Sequence, residues 1–365
     1  MDSGLTPRPG ILDITPYVGG EAKAPGIEQP IRLASNESAL GPSAKAMVAY
    51  RALAGEIHRY PDGNARELRE ALGRHHGLDP ARIVCGAGSD ELITLLLRCF
   101  AGPGDEVLYS RHGFLMYPIN AMAVGSTPVA VPERELTTDV DALLARVTER
   151  TRVVFIANPN NPTGTYLGAQ ELARLHARLP PSVLLAIDAA YAEFVNRNDY
   201  EPGIALVNQA ENAVMLRTFS KIYALAALRL GWAYCPPAIA DLLNRIRSPF
   251  NVGAAAQAAG IAAVEDVAAL NRARANNERW LPWFSDRLRA LGLVLTPSVA
   301  NFVLARFPDQ RHKNADAAFA FLQSRGILTR KMGAYGLPQH LRITIGTGRE
   351  METVEGALAE FTAKR

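Results

Sequence analysis

Between residues 82 and 235 the chain alternates short apolar runs with helical patterns. Arg82–Gly86, Glu106–Tyr109, Pro128–Val131, Arg152–Ala157, Val183–Asp188, Ala213–Arg217 and Gly231–Cys235 are runs of four to six mostly apolar residues. That length and composition fit strands buried on both faces. Asp90–Phe100, Asp139–Arg146 and Ala169–Arg178 lie between several of them and carry the apolar spacing of amphipathic helix. Strand–helix–strand repetition predicts an α/β fold whose large domain has a mostly parallel seven-stranded sheet between helices.

After Pro236–Pro237 the pattern changes. Residues 254–292 are rich in Ala, Arg and Leu and predict a long helix, bent or broken at Pro282. A strand around 301–306, a helix around 315–325, strands at 327–330 and 341–345 and a closing helix from Glu350 make a smaller α+β domain. Residues 1–30, rich in Pro and Gly and without periodicity, predict an extended arm. The expected division is 1–30 arm, 31–245 large domain and 246–365 small domain.

Composition narrows the class. At 365 residues the chain exceeds what one core supports, which agrees with two domains. With 39 basic and 36 acidic residues the net charge is +3, too even for nucleic acid to be the main partner. Cys85, Cys99 and Cys235 are odd in number and widely spaced, which excludes a disulfide scaffold or a paired-cysteine metal site. Residues 1–10 lack the basic start and apolar core of a signal peptide, and no apolar run reaches the ~18–20 residues of a membrane span. A cytoplasmic protein with no membrane partner is expected.

Five features could carry chemistry, and each also has a plain structural reading. Gly86-Ala87-Gly88-Ser89-Asp90-Glu91 joins a strand to a helix; it is either a tight turn or an anion site at a helix N-terminus. Glu91 occupies the place of the third glycine of a dinucleotide fingerprint, and no Gly-Lys-Ser/Thr follows, so neither nucleotide motif holds. Asn158-Pro159-Asn160-Asn161-Pro162-Thr163-Gly164 is either a rigid loop or, at the carboxyl end of a parallel strand, a ligand loop. Asp188 ends a very apolar strand, with Tyr191 just after it; it is a helix cap or a buried carboxylate that needs a partner. Only six of the 39 basic residues are lysines, and Lys221 is the only one between residues 45 and 313. Set among Phe219, Ile222, Tyr223 and Leu225, it either snorkels from a loop or is a desolvated amine nucleophile. Arg229, in the apolar stretch 224–231, and Arg342, on a predicted strand, are structural ion-pair partners or anion receptors. His75-His76 is not a metal pair, because adjacent side chains point apart.

Each of the first four motifs, and Arg229, falls after a strand of one sheet, and together they suit a phosphate-bearing aldehyde held by a lysine. Over nearly its whole length the chain resembles the fold-type I aminotransferases that use pyridoxal 5'-phosphate, through NPNNPTG, the Asp188–Tyr191 pair, Thr218-Phe219-Ser220-Lys221 and Arg229. Ile14-Thr15-Pro16-Tyr17, Leu33-Ala34-Ser35-Asn36-Glu37, Arg59-Tyr60-Pro61-Asp62-Gly63 and GAGSDE are similar to the histidinol-phosphate aminotransferases. The chain departs once, with Ala189 where that family usually has Glu.

The resemblance implies roles. Lys221 would carry the cofactor covalently and move a proton at the substrate. Asp188 would hold the ring nitrogen protonated, Asn161 and Tyr191 would bond the ring hydroxyl oxygen, and Phe114 would stack on the ring. Ser89, Asp90, Thr218, Ser220 and Arg229 would bind the cofactor phosphate, and Tyr60 would reach it from the second subunit of a homodimer. Because glutamate presents a carboxylate where histidinol phosphate presents a phosphate ester, one guanidinium must accept both; Arg342 suits this, with Arg330 and Tyr17 at the phosphate end. The implied reaction converts L-histidinol phosphate and 2-oxoglutarate to imidazole acetol phosphate and L-glutamate, a step of histidine biosynthesis. An aromatic amino acid aminotransferase shares every cofactor residue and is the alternative. A threonine-phosphate decarboxylase, or a cofactor-sensing regulatory domain, would be further ones.

Overall fold

The computed structural model describes residues 4–363; Met1–Ser3, at the start of the expected arm, and Lys364–Arg365 lie outside the described residues. The arm runs extended to a two-residue strand, β1 (Ile31–Arg32), and two helices follow, α1 (Ala44–Ala52) and α2 (Arg66–His76). The large sheet is then built from β2 (Ile83–Gly86), β3 (Glu106–Ser110), β4 (Thr127–Val131), β5 (Thr151–Ala157), β6 (Leu184–Asp188), β7 (Ala213–Thr218) and β8 (Gly231–Tyr234). Between these strands lie α3 (Ser89–Phe100), α4 (Met116–Ala123), α5 (Val140–Ala145), α6 (Ala169–Arg178) and α7 (Ile204–Gln209).

The strand order is β2-β8-β7-β6-β5-β3-β4. Only β8 runs against its neighbours, β2 and β7; the other pairings are parallel. Every residue of β2, β3, β6, β7 and β8 is buried. That explains why the strands read as unbroken apolar runs: helices cover both faces, so no polar alternation is selected. On one face α3 lays Leu92, Ile93, Leu95, Leu96 and Leu97 against the sheet. On another, α6 buries Leu172 and Leu175 in a cluster with β5 and β6.

The C-terminal part comprises α8 (Pro237–Ile246), α9 (Ala254–Glu265), α10 (Val267–Ala290), β9 (Val294–Leu295), β10 (Phe302–Arg306), α11 (Ala315–Ser324), β11 (Ile327–Leu328), β12 (Arg330–Lys331), β13 (His340–Thr344) and α12 (Gly348–Ala363). An antiparallel sheet of order β12-β13-β10-β9 forms its centre. The break in the long helix falls at Asp266, not at the expected Pro282, which α10 contains. Asp266 leaves helical geometry (φ −87°, ψ 66°) and its carboxylate accepts from the Ala269 N–H at 3.2 Å, so a new helix is capped there.

Several contacts tie the parts together. β1 pairs in parallel with β11, and the Thr344 amide donates to Leu33 O at 3.0 Å. Helix α9 packs on α1 and α2 beside the large sheet. No helix among the described residues is long and apolar enough to cross a membrane.

Candidate active site

Topology brings the motifs to one edge. β5, β6 and β7 are neighbours, with Ala157 opposite Asp188 and Asp188 opposite Leu216. Their carboxyl ends therefore deliver the Asn158–Gly164 loop, Asp188 and Thr218–Lys221 side by side. β8 is antiparallel, so it begins where they end: Gly231 pairs with both Thr218 and Gly86. Arg229, two residues earlier, thus reaches the same edge as the Gly86–Ser89 turn.

Close packing explains two glycines there. A Cβ on Gly231 would fall on the Ser89 backbone nitrogen, and one on Gly88 (φ +85°) would lie 2.5 Å from Arg229 Nη2. Arg229 pairs with Asp90 at 3.0 Å and donates to Ser220 Oγ at 3.3 Å. The start of α3, without a side-chain cap, together with Ser220 and this guanidinium, forms a cradle suited to a phosphate.

A cavity of about 320 Å³ opens on this edge. Of the predicted site residues, Tyr17, Ser89, Asp90, Phe114, Asn161, Asp188, Tyr191, Thr218, Ser220, Lys221, Arg229, Arg330 and Arg342 line it. Tyr60 does not: it is 82% exposed and stacks on Phe250 at 4.5 Å. A larger cleft, about 1060 Å³, lies between residues 134–141 and 336–340 and shares no lining residue with the cavity.

Lys221 is half-buried, its Nζ donating to Ser35 O at 3.1 Å and lying 5.8 Å from the Tyr191 ring centre. Burial, reinforced by the nearby Arg342 charge, pulls its pKa down to about 8. Asp188 is 5% exposed. Burial raises its carboxyl to about 6; the Tyr117 hydrogen bond at 2.7 Å on Oδ2 and the nearby Ala190 amide work against that rise. Its Oδ1 is buried without a hydrogen-bond partner. Tyr191 accepts a hydrogen bond from Asn36 Nδ2 at 2.8 Å, and burial pushes its pKa up.

Arg330 and Arg342 stand directly opposite each other on β12 and β13 and both line the cavity. Like charges so placed repel, which an anion between them would relieve. Arg342 donates to Asn161 Oδ1 and, at 2.7 Å, to Ala34 O, while its Nε is buried and unpartnered. Arg330 donates to Val18 O, and its guanidinium lies 5.9 Å from the Tyr17 ring centre. The arm is thereby folded over the cavity mouth, with Tyr17 edge-on to Phe114 at 6.3 Å.

Sequence reasoning assigned no role to Tyr117, Ser35, Asn36 or Glu37. The partners of Tyr117, Ser35 and Asn36 are distant in sequence, and the signal at Tyr117 is only that a buried tyrosine hydroxyl requires an acceptor. Ala189 is fully buried within an apolar cluster; the nearest-in-sequence buried cation on β7, Arg217, is paired with Glu193 at 2.8 Å.

A half-buried lysine of depressed basicity beside an orphaned carboxylate oxygen and a phosphate cradle defines a class. The family model "Aminotransferase class I and II" matches residues 28–361, and the chain belongs to that family. Within it the chain groups with the histidinol-phosphate aminotransferases. It is 64% identical to that of Rhodospirillum centenum (98% of this chain, 99% of the relative) and 61% to that of Paramagnetospirillum magneticum (97% and 98%). A solved histidinol-phosphate aminotransferase from Sinorhizobium meliloti, in complex with pyridoxal-5'-phosphate, is 30% identical over 97% of each chain with a TM-score of 0.88.

Proposed function

We propose that this chain is a pyridoxal 5'-phosphate-dependent transaminase that moves an amino group between L-histidinol phosphate and 2-oxoglutarate. The observation that carries the reading is the pairing of Lys221 and Asp188 in one cavity with the opposed guanidinium groups of Arg330 and Arg342. The residues fit the cofactor: the orphaned Asp188 Oδ1 needs a cationic N–H, and Gly88, at φ +85° and with no Cβ to press on the Arg229 guanidinium, keeps the turn close to that cation.

When bound, pyridoxal phosphate supplies an aldehyde for the substrate amine and an electron-withdrawing ring. Lys221, its amine about half neutral near pH 8, would attach the cofactor and move the proton at the substrate Cα. Asp188 would hold a proton on the ring nitrogen by its charge. Asn161 and Tyr191 would orient the ring hydroxyl, Phe114 would cover one face, and Ser89, Asp90, Thr218, Ser220 and Arg229 would hold the phosphate. Arg342 would receive the glutamate carboxylate and the histidinol phosphate ester in turn, and Arg330 and Tyr17 would add the contacts the larger anion needs.

A homodimer, with Tyr60 reaching the partner's cofactor phosphate, is supported by exposed apolar side chains along one stretch. Val48, Ile57 and Tyr60 are 67%, 85% and 82% exposed, and Phe250 stacks beside Tyr60. A biosynthetic enzyme of this kind would work in the cytoplasm. The test is a panel of amino donors with 2-oxoglutarate as acceptor, following glutamate formation. Histidinol phosphate should be turned over at least tenfold faster, by kcat/KM, than phenylalanine or tyrosine; the reverse order would give the chain to the aromatic aminotransferases.

A further inference from the structure

The two oxygens of Asp188 are not equivalent. Oδ2 accepts a 2.7 Å hydrogen bond from the Tyr117 hydroxyl, whereas Oδ1 is buried with no partner in a residue that lines the cavity. The other cavity carboxylates differ: the side chains of Glu37 and Asp90 are 37% and 42% exposed and each pairs with an arginine. Tyr117 itself is 1% exposed. Its ring lies flat on Phe155, at 4.6 Å and 4°, and meets the edges or faces of Phe114 at 5.9 Å and Tyr109 at 6.4 Å. A ring so enclosed has one place to put its hydroxyl. Burial also pushes the phenol pKa well up, so the group remains a donor throughout the working range.

We propose that Tyr117 is a positioning residue for the cofactor ring nitrogen: by occupying Asp188 Oδ2 it fixes the carboxylate plane and presents Oδ1 to the cavity. The inference rests on the reading of this site as a pyridoxal phosphate site. Tyr117 sits on α4, outside every motif the family resemblance uses, and touches the ring nitrogen only through Asp188. Without the hydroxyl, Oδ2 becomes a second buried orphan, the carboxylate is free to rotate, and its charged form loses the stronger of the donors that oppose burial.

The test compares apoprotein affinity for pyridoxal phosphate with affinity for the analogue in which a C–H replaces the ring nitrogen. Wild type should prefer pyridoxal phosphate. Tyr117→Phe keeps the ring and its stacking, so it should weaken pyridoxal phosphate binding about tenfold, as for loss of one hydrogen bond to a charged group, and leave the analogue unchanged. Tyr117→Met, which also fills buried space without a hydroxyl, should behave the same if the Phe variant does not fold. In an Asp188→Asn background, adding Tyr117→Phe should change the preference by less than twofold. Equal weakening of both ligands would make Tyr117 a packing residue and overturn the proposal, as would an unchanged preference. A wild type that binds both ligands equally would instead overturn the ring-nitrogen role of Asp188 on which the proposal stands.

Discussion

At the scale of single residues, the chemistry depends on burial changing what ordinary groups do. Lys221 is brought to a pKa of about 8 because its ammonium is partly desolvated and faces Arg342. The neutral amine is the reactive form, so the rate at which apoprotein captures pyridoxal phosphate should rise with pH through about 8 and then level off, as followed by stopped-flow absorbance. Lys221→Ala should reduce turnover by at least a thousandfold, and borohydride reduction of the loaded wild type should label Lys221 and no other lysine. For Asp188→Ala the loss in kcat should exceed tenfold, since each ~1.4 kcal/mol of lost stabilisation is a factor of ten; a smaller loss would remove Asp188 from the reaction. These residues were legible in the sequence because their types are unusual in their surroundings: a lysine in an apolar run, an aspartate ending one. Tyr117 and Asn36 were not, because a tyrosine and an asparagine become informative only once Asp188 and Tyr191, distant in the chain, are in contact with them.

The elements that carry the site are held by close approach of backbone. Gly231→Ala would drive a methyl group into the Ser89 amide at the first turn of α3. The helix start must move, so affinity for pyridoxal phosphate should fall by more than tenfold in equilibrium titration while far-ultraviolet dichroism stays near wild type. Loss of the cap in Asp266→Ala should cost about 0.5–2 kcal/mol, read as a lower midpoint in chemical denaturation, with the cofactor site unaffected. The strands of the large sheet could be read to within a residue or two, because burial on both faces leaves apolar runs with sharp ends. The helix break could not. Pro282 is the stronger local signal, yet α10 absorbs it, and the capping of Ala269 by Asp266 shows which interruption the packing uses. The β1–β11 pairing is also invisible in sequence, since two-residue strands carry no pattern and their partners are nearly three hundred residues apart.

At the scale of the molecule, acid sensitivity follows from half-buried histidines held without charge. Burial, with help from Arg217, lowers His76 to about 3, and burial lowers His340 to about 4. Unfolded histidine titrates near 6.5, so between about 6.5 and 3 the unfolded chain binds more protons and stability falls as pH falls. Asp188 in the apoprotein opposes this over a narrower window, from about 6 down to 3.8, because its folded pKa is raised. The two histidines outweigh it, so the urea midpoint of the apoprotein should drop between pH 7 and 5. The drop should shrink in His76→Phe, which keeps an aromatic ring beside Trp232 but cannot be protonated.

The central claim is that one cavity, closed by guanidinium groups from β12 and β13 opposite the lysine edge of the large sheet, accepts two different anions in turn. Single-turnover rates of the two amino-transfer half-reactions, in wild type, Arg342→Ala and Arg330→Ala, test it most directly. Arg342→Ala should slow the glutamate and histidinol phosphate half-reactions alike. Arg330→Ala should slow histidinol phosphate by roughly ten- to a hundredfold more than glutamate, the ~1.5–3 kcal/mol of a charged hydrogen bond. Equal effects of Arg330→Ala on both half-reactions, or none on either, would contradict the account.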